Sequence, residues 1–239
     1  MSENCKWLHT QLNELPIIQY QFDENCLPLN GIYFFYEKGE YWGHGRKKQR
    51  IVRIGTANNC NFGKRIKEHY LLDNSKMNFN KNNPKPSDRS IFRKNIGKAI
   101  LSKNNDSYSN IWEIDFIKKK NREEHNNRRN IEKERKLELD ITKIIRDNFS
   151  FRFIIIDNQI IRKNCKGLEG LFIGTIAQCN LCKPSKNWLG KDSPKNKIVN
   201  SGLWQVQCLN EIGIDDNSKS DILYAIDNTI NWLKNMKCF

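Results

Sequence analysis

The chain has 239 residues, 38% of them hydrophobic, and a formal net charge of +14. That length and apolar content support a real core without disulfide staples. No apolar run is long enough to span a bilayer. A positive surplus spread over several segments points to a polyanion, with nucleic acid first and an anionic membrane surface second.

Met1 to Leu15 carries Glu3 and Glu14 and no apolar stretch followed by small residues, so no secretory leader is expected. The expectation is a cytoplasmic chain whose eight cysteines are reduced thiols. Within Trp7–Tyr20, residues Leu8, Leu12 and Leu15 fall at helical spacing and predict a short helix with a lead-in. Gly31-Ile32-Tyr33-Phe34-Phe35-Tyr36 has strand composition, with Tyr33 and Phe35 on one face and Ile32, Phe34 and Tyr36 on the other. Residues 37–50 are polar, hold three glycines and end in basic residues, which predicts a long hairpin loop. Residues 51–56 then read as the returning strand. Asn58, Asn59 and Asn61 offer caps for a helix from Phe62 to Leu72.

Residues 73–90, with Pro84 and Pro86, predict a loop, and 91–102 a helix. The alternation at 111–116 predicts a strand. Residues 118–148 are charged and lack Gly and Pro; their later half is an amphipathic helical pattern whose apolar side reads as core. Glu123, Glu124, Glu132, Glu134 and Glu138 are expected to be solvated there. Residues 151–156 predict a strand, 168–179 an apolar helix, 183–203 a basic loop and 221–237 a closing helix. The order predicts an α/β (α+β) fold, a small mixed or antiparallel sheet flanked by helices.

Several residues suit phosphodiester chemistry, which needs an activated water, counter-charge for the transition state and a stabilised leaving oxygen. Arg65 and His69 lie four apart and share a helix face that can approach one phosphate. Arg65 brings a planar donor fork, and His69 can donate a hydrogen bond or relay a proton. Otherwise they are an exposed pair on a polar helix. Glu169 shares a helix side with Phe172, Ile173 and Ile176, where a carboxylate is costly unless paired or metal-bound. A single carboxylate with several waters is a common magnesium site; the alternative is a rim residue. Tyr33 alone reads as a core aromatic. Cys179-x-x-Cys182 holds zinc only with two further ligands, for which Cys165 or Cys208 are candidates. Tyr41, Trp42, His44, Trp188 and Trp204 either touch bases or pin loops to the core.

Taken in order, Gly31-Ile32-Tyr33, Arg53-Ile54-Gly55, Arg65 with His69, Glu169, and then Pro184 and Asn187 form a pattern. It resembles the GIY-YIG nuclease family over residues 29–190, and most resembles the type II restriction endonuclease branch. The resemblance implies a nuclease domain at 29–190 with insertions at 37–50 and 118–148. It also implies a lead-in at 1–28 and a C-terminal helical extension at 191–239 packed on the same domain. The implied activity is magnesium- or manganese-dependent hydrolysis of double-stranded DNA. In it Tyr33 activates water, Arg65 and His69 hold the phosphate, Glu169 binds the metal and Asn187 supports the site. Cutting both strands takes a homodimer or two successive visits. Arg46, Lys47, Lys48, Lys64 and Lys186 are the expected nucleic-acid contacts. Arg53 stands where the family's second motif usually has Tyr. Arginine cannot act as a base, but it can hold phosphate or favour the tyrosinate of Tyr33. This departure leaves open a catalytically inactive DNA-binding module; homing, repair and phage nucleases are the alternatives within the class.

Overall fold

A computed structural model describes residues 2–45, 48–57, 60–158 and 165–236. Arg46, Lys47 and the caps Asn58 and Asn59 lie outside the described residues. The fold is α+β with one four-stranded antiparallel sheet among the described residues. No described helix is long and apolar enough to cross a membrane. The chain divides into two compact units: Met1–Gly63 with Asn148–Trp188 and Ser201–Phe239, and Lys64–Asp147 with Leu189–Asn200.

The first unit is built on the sheet. Its strands are β1 (Ile18–Gln19), β2 (Ile32–Tyr41), β3 (Gln49–Thr56) and β4 (Phe149–Ile154), in the order β1-β4-β2-β3. The aromatic run explains the central place of β2: every residue from Ile32 to Tyr36 is buried, so both faces are covered. On one face Phe34 meets Phe172 at 5.2 Å between ring centroids. On the other, Tyr33 and Phe35 sit opposite Phe153 and Phe151 of β4, and Tyr33 also packs edge-on against Phe62. Phe172 belongs to α7 (Leu168–Ala177), a largely apolar helix whose one charged residue, Glu169, stands in its first turn and which packs on β3. Helix α1 (Ser2–Leu12) packs on α7 and on the closing helix α9 (Asp216–Met236). Thr229 of α9 accepts the Ile155 N–H at 2.8 Å just beyond β4.

The hairpin differs from the reading of 37–50 as loop. Strand β2 runs on to Tyr41 and β3 begins at Gln49. The polar residues stay in the strand because they are buried with partners. Glu40 accepts Arg50 at 2.6 and 2.8 Å, and Glu37 accepts two indole N–H groups. Trp42, Trp188 and Trp204 are pinned to the core, while Tyr41 is exposed. The cysteine expectation is also corrected, since Cys165 and Cys208 form a disulfide.

The second unit is helical. It holds most of α2 (Phe62–Tyr70), with α3 (Ile91–Lys103), α4 (Ser109–Trp112), α5 (Lys119–His125), most of α6 (Ile131–Asn148) and α8 (Asn196–Ser201). The predicted strand at 111–116 is α4 and a turn. Its apolar residues serve a different pattern: Trp112 and Phe116 are fully buried, and Gly97 of α3 leaves the space that the Trp112 ring fills. The Asp115 carboxylate accepts the Ile117 N–H and closes the turn. Glu134 and Glu138 are fully buried rather than solvated. Each is held by a buried arginine, Arg129 and Arg93, at 2.6 Å. Lys85 and Lys94 both pair with buried Asp88 at 2.9 Å. The predicted basic loop at 183–203 contains α8 and a 3-10 turn at Leu189–Asp192.

Candidate active site

The glycines of the two motifs have steric causes. A side chain at Gly31 would bring its Cβ to 2.5 Å from the carbonyl oxygen of Ile154, its neighbour in β4. A side chain at Gly55 would run into the hydroxyl and ring of Tyr33. Register explains the second case: Tyr33 of β2 faces Gly55 of β3, and Phe35 faces Arg53. Cross-strand partners share a face, so Tyr33, Phe35, Arg53 and Gly55 lie on one side of the sheet. The missing Cβ lets the tyrosine ring lie over the backbone of β3. Gly55→Ala is therefore expected to cost about 1–3 kcal/mol by overpacking. Denaturant titration checks this, and in a Tyr33→Val background, where the ring is gone, Gly55→Ala should cost little.

Arg53 is buried, and its Nη1 donates to the Trp204 carbonyl at 2.6 Å. The Trp204 N–H donates in turn to the Val52 carbonyl at 2.7 Å. Residue 53 thus ties the 201–205 segment to β3. Next to it lies a polar cluster that the sequence reading missed. The Glu37 Oε2 accepts the indole N–H of Trp188 at 2.9 Å and of Trp204 at 3.0 Å. Glu40 accepts Arg50 and the Ser185 N–H, and Arg50 also donates to the Gly202 carbonyl at 2.6 Å. These bonds fix the segment that carries Asn187 against the hairpin. The available signal was two glutamates inside an aromatic strand.

Burial pushes the Glu37 carboxyl up to about 7, because the charged form loses hydration. The indole donors and Arg50 oppose the shift, and Glu40 adds to it. A raised group binds its proton more tightly folded than unfolded, so its contribution is complete below about pH 4.5. That contribution is lost as pH rises through about 7, and amounts to about 3 kcal/mol at 1.36 kcal/mol per unit. Glu37→Gln is expected to be more stable than the parent above pH 7, with this pH dependence removed. Denaturant midpoints measured from pH 5 to 8 check it.

Glu169 is half-buried in the first turn of α7, where the helix N-terminus favours a carboxylate. The neighbours named from spacing, Phe172, Ile173 and Ile176, are buried. One partly exposed hard oxygen donor on such a face fits a hydrated divalent cation. Asn187 and Lys186 are exposed, as are Lys48 and Lys64. The first unit holds Tyr33, Arg53, Glu169 and Asn187; the second holds Arg65 and His69. Arg65 is half-buried, donates to the Arg89 carbonyl at 2.6 Å and pairs with Glu68 at 3.2 Å. His69 is fully buried, with Nδ1 2.8 Å from the Ser90 hydroxyl and its carbonyl accepting from Arg93. Within the same unit Lys64, Lys67, Lys76, Lys85 and Arg89 line a cleft of about 240 Å³, together with Glu68 and Asp73.

The α+β fold pairs the Gly31-Ile32-Tyr33 and Arg53-Ile54-Gly55 segments and carries Glu169 on a later helix. A family model described as GIY-YIG domain matches residues 6–235. The chain belongs to the GIY-YIG domain family, whose members are DNA endonucleases that hydrolyse phosphodiester bonds and generally require a divalent metal. Neither the curated proteins nor the solved structures compared with this chain give a match.

Proposed function

We propose that the chain is a magnesium- or manganese-dependent endonuclease of double-stranded DNA, of the type II restriction-like kind. The observation that carries this is the seating of the Tyr33 ring over Gly55, beside Arg53, on one face of the sheet. The tyrosine is the base that takes a proton from the attacking water. Arg65 is assigned to the phosphate oxygens through its donor fork. His69 is fully buried on the Ser90 hydroxyl, so the phosphate contact that the resemblance implies for it requires that burial to open. Glu169 would hold the cation, which neutralises charge on the leaving oxygen. Asn187 is the polar support, on a segment fixed by the Glu37 and Glu40 bonds. The exposed Lys48, Lys64 and Lys186 and the lysine-lined cleft offer phosphate contacts that position the duplex without reading sequence. One such site cuts one strand, so a double cut implies a homodimer or two visits.

A second reading, a DNA-binding module without cleavage, draws on Arg53. It replaces a motif tyrosine and its Nη1 is engaged by the Trp204 carbonyl. Digestion of mixed duplex DNA with Mg²⁺ or Mn²⁺ separates the readings. Discrete fragments support the restriction-like enzyme. Nicking or a smear moves the assignment to another branch of the family. Salt-dependent binding with no cleavage under either metal establishes the module and ends the nuclease reading.

A further inference from the structure

Cysteines and a histidine from three distant parts of the first unit meet at one point. Cys5 comes from α1, His44 from the β2–β3 turn, and Cys179 and Cys182 from the segment that ends α7. Their four ligand atoms all lie within 4.8 Å of one another. Cys5 and Cys182 stand 3.6 Å apart at sulfur, and the Cys179 Sγ is 3.4 Å from the His44 Nε2. Bonds of about 2.3 Å to sulfur and about 2.0 Å to nitrogen, at tetrahedral angles, give edges of about 3.8 Å (S···S) and about 3.5 Å (S···N). The observed edges have the size of a tetrahedral thiolate–imidazole site. All three cysteines are buried and His44 is half-buried.

The surroundings are shaped for the same arrangement. The Gly43 N–H points at the Cys182 sulfur from 3.5 Å, which suits a metal-bound thiolate. A Cβ at Gly43 would collide with the Leu181 carbonyl, so only glycine lets the turn approach the Cys179-Asn180-Leu181-Cys182 loop this closely. His9 supports the site from behind. Its Nε2 accepts the Ile51 N–H at 3.2 Å, so Nδ1 carries the proton and donates to the Cys5 carbonyl at 2.9 Å. The candidate extra ligands named from sequence, Cys165 and Cys208, are spent on each other as a disulfide. Cys5 and His44 take their places.

We propose that Cys5, His44, Cys179 and Cys182 form a structural zinc site. Three thiolates and one imidazole are soft and borderline donors that select zinc over magnesium. Four protein ligands leave no open position for water or substrate, which separates this site from a catalytic one. Binding Zn²⁺ displaces the thiol protons to solvent and leaves one closed, buried complex. Its function is mechanical. It joins the N-terminal helix and the β2–β3 turn to the end of the helix whose first turn carries Glu169. The inference does not depend on the nuclease reading.

The test is metal analysis of the full chain, purified without chelators or a metal-affinity tag. The expected result is one zinc per chain, lost in Cys182→Ser and in His44→Ala but retained in Glu169→Ala. Because the ligand variants can unfold, X-ray absorption at the zinc edge of the unaltered chain gives the second reading. Three sulfurs at about 2.3 Å and one nitrogen at about 2.0 Å are expected. A folded chain free of zinc, a shell of oxygen and nitrogen only, or a disulfide among Cys5, Cys179 and Cys182 by mass spectrometry would each overturn the site.

Discussion

Glu169→Ala is expected to lower the rate of duplex cleavage about 10³-fold under single-turnover conditions, since a metal supplies several kcal/mol at the transition state and each 1.36 kcal/mol is tenfold. Duplex affinity measured without metal should change little, because phosphate contacts by lysines and arginines dominate binding. The fold should survive the change. Glu169 is half-buried in the first turn of α7, while the packing of that helix rests on Leu168, Phe172, Ile173 and Ile176. A rate within a few-fold of the parent would remove Glu169 from the metal role. Glu169→Gln is the stricter form of the test, because it keeps shape and removes charge.

The largest expected loss of stability is in the second unit. Arg93 is fully buried, and its guanidinium is held by the Glu138 carboxylate at 2.6 and 3.2 Å, by the Thr142 hydroxyl at 2.8 Å and by the His69 carbonyl at 3.1 Å. The other Glu138 oxygen accepts the Ser87 N–H at 2.7 Å. Glu138→Ala leaves a buried guanidinium without its counter-charge, which costs about 3–5 kcal/mol. Against a usual total of about 5–15 kcal/mol, that loss leaves the chain near its threshold. The double change Arg93→Met with Glu138→Leu should recover most of it, since an apolar pair of similar volume avoids the desolvation of both charges. Chemical unfolding of the parent, both single variants and the double variant measures the coupling. Additive losses would show that the two side chains act independently.

The parts legible in the sequence were those written locally. Tyr33, Gly31 and Gly55 stand in short motifs because strand register and steric room fix them within a few residues. The helix around Glu169 was legible from its apolar run, and the β2 strand from its aromatics. What could not be read depends on distant partners. Glu37 and Glu40 looked like loop residues because Trp188 and Trp204 lie 151 and 167 positions from Glu37. Glu134 and Glu138 looked solvated because a helix pattern does not show the arginine that neutralises a carboxylate. The run at 111–116 alternates like a strand, yet the space beside Gly97 draws Trp112 into a helical turn. Cys179 and Cys182 announced half of a site, and only the fold brings Cys5 and His44 to it.

The most direct measurement is the conversion of supercoiled plasmid by the full chain with Mg²⁺ and with EDTA. The account predicts nicked and then linear DNA with the metal and intact plasmid without it. Plasmid that stays supercoiled under Mg²⁺ and Mn²⁺, while retarded in a gel in a salt-dependent way, would contradict it.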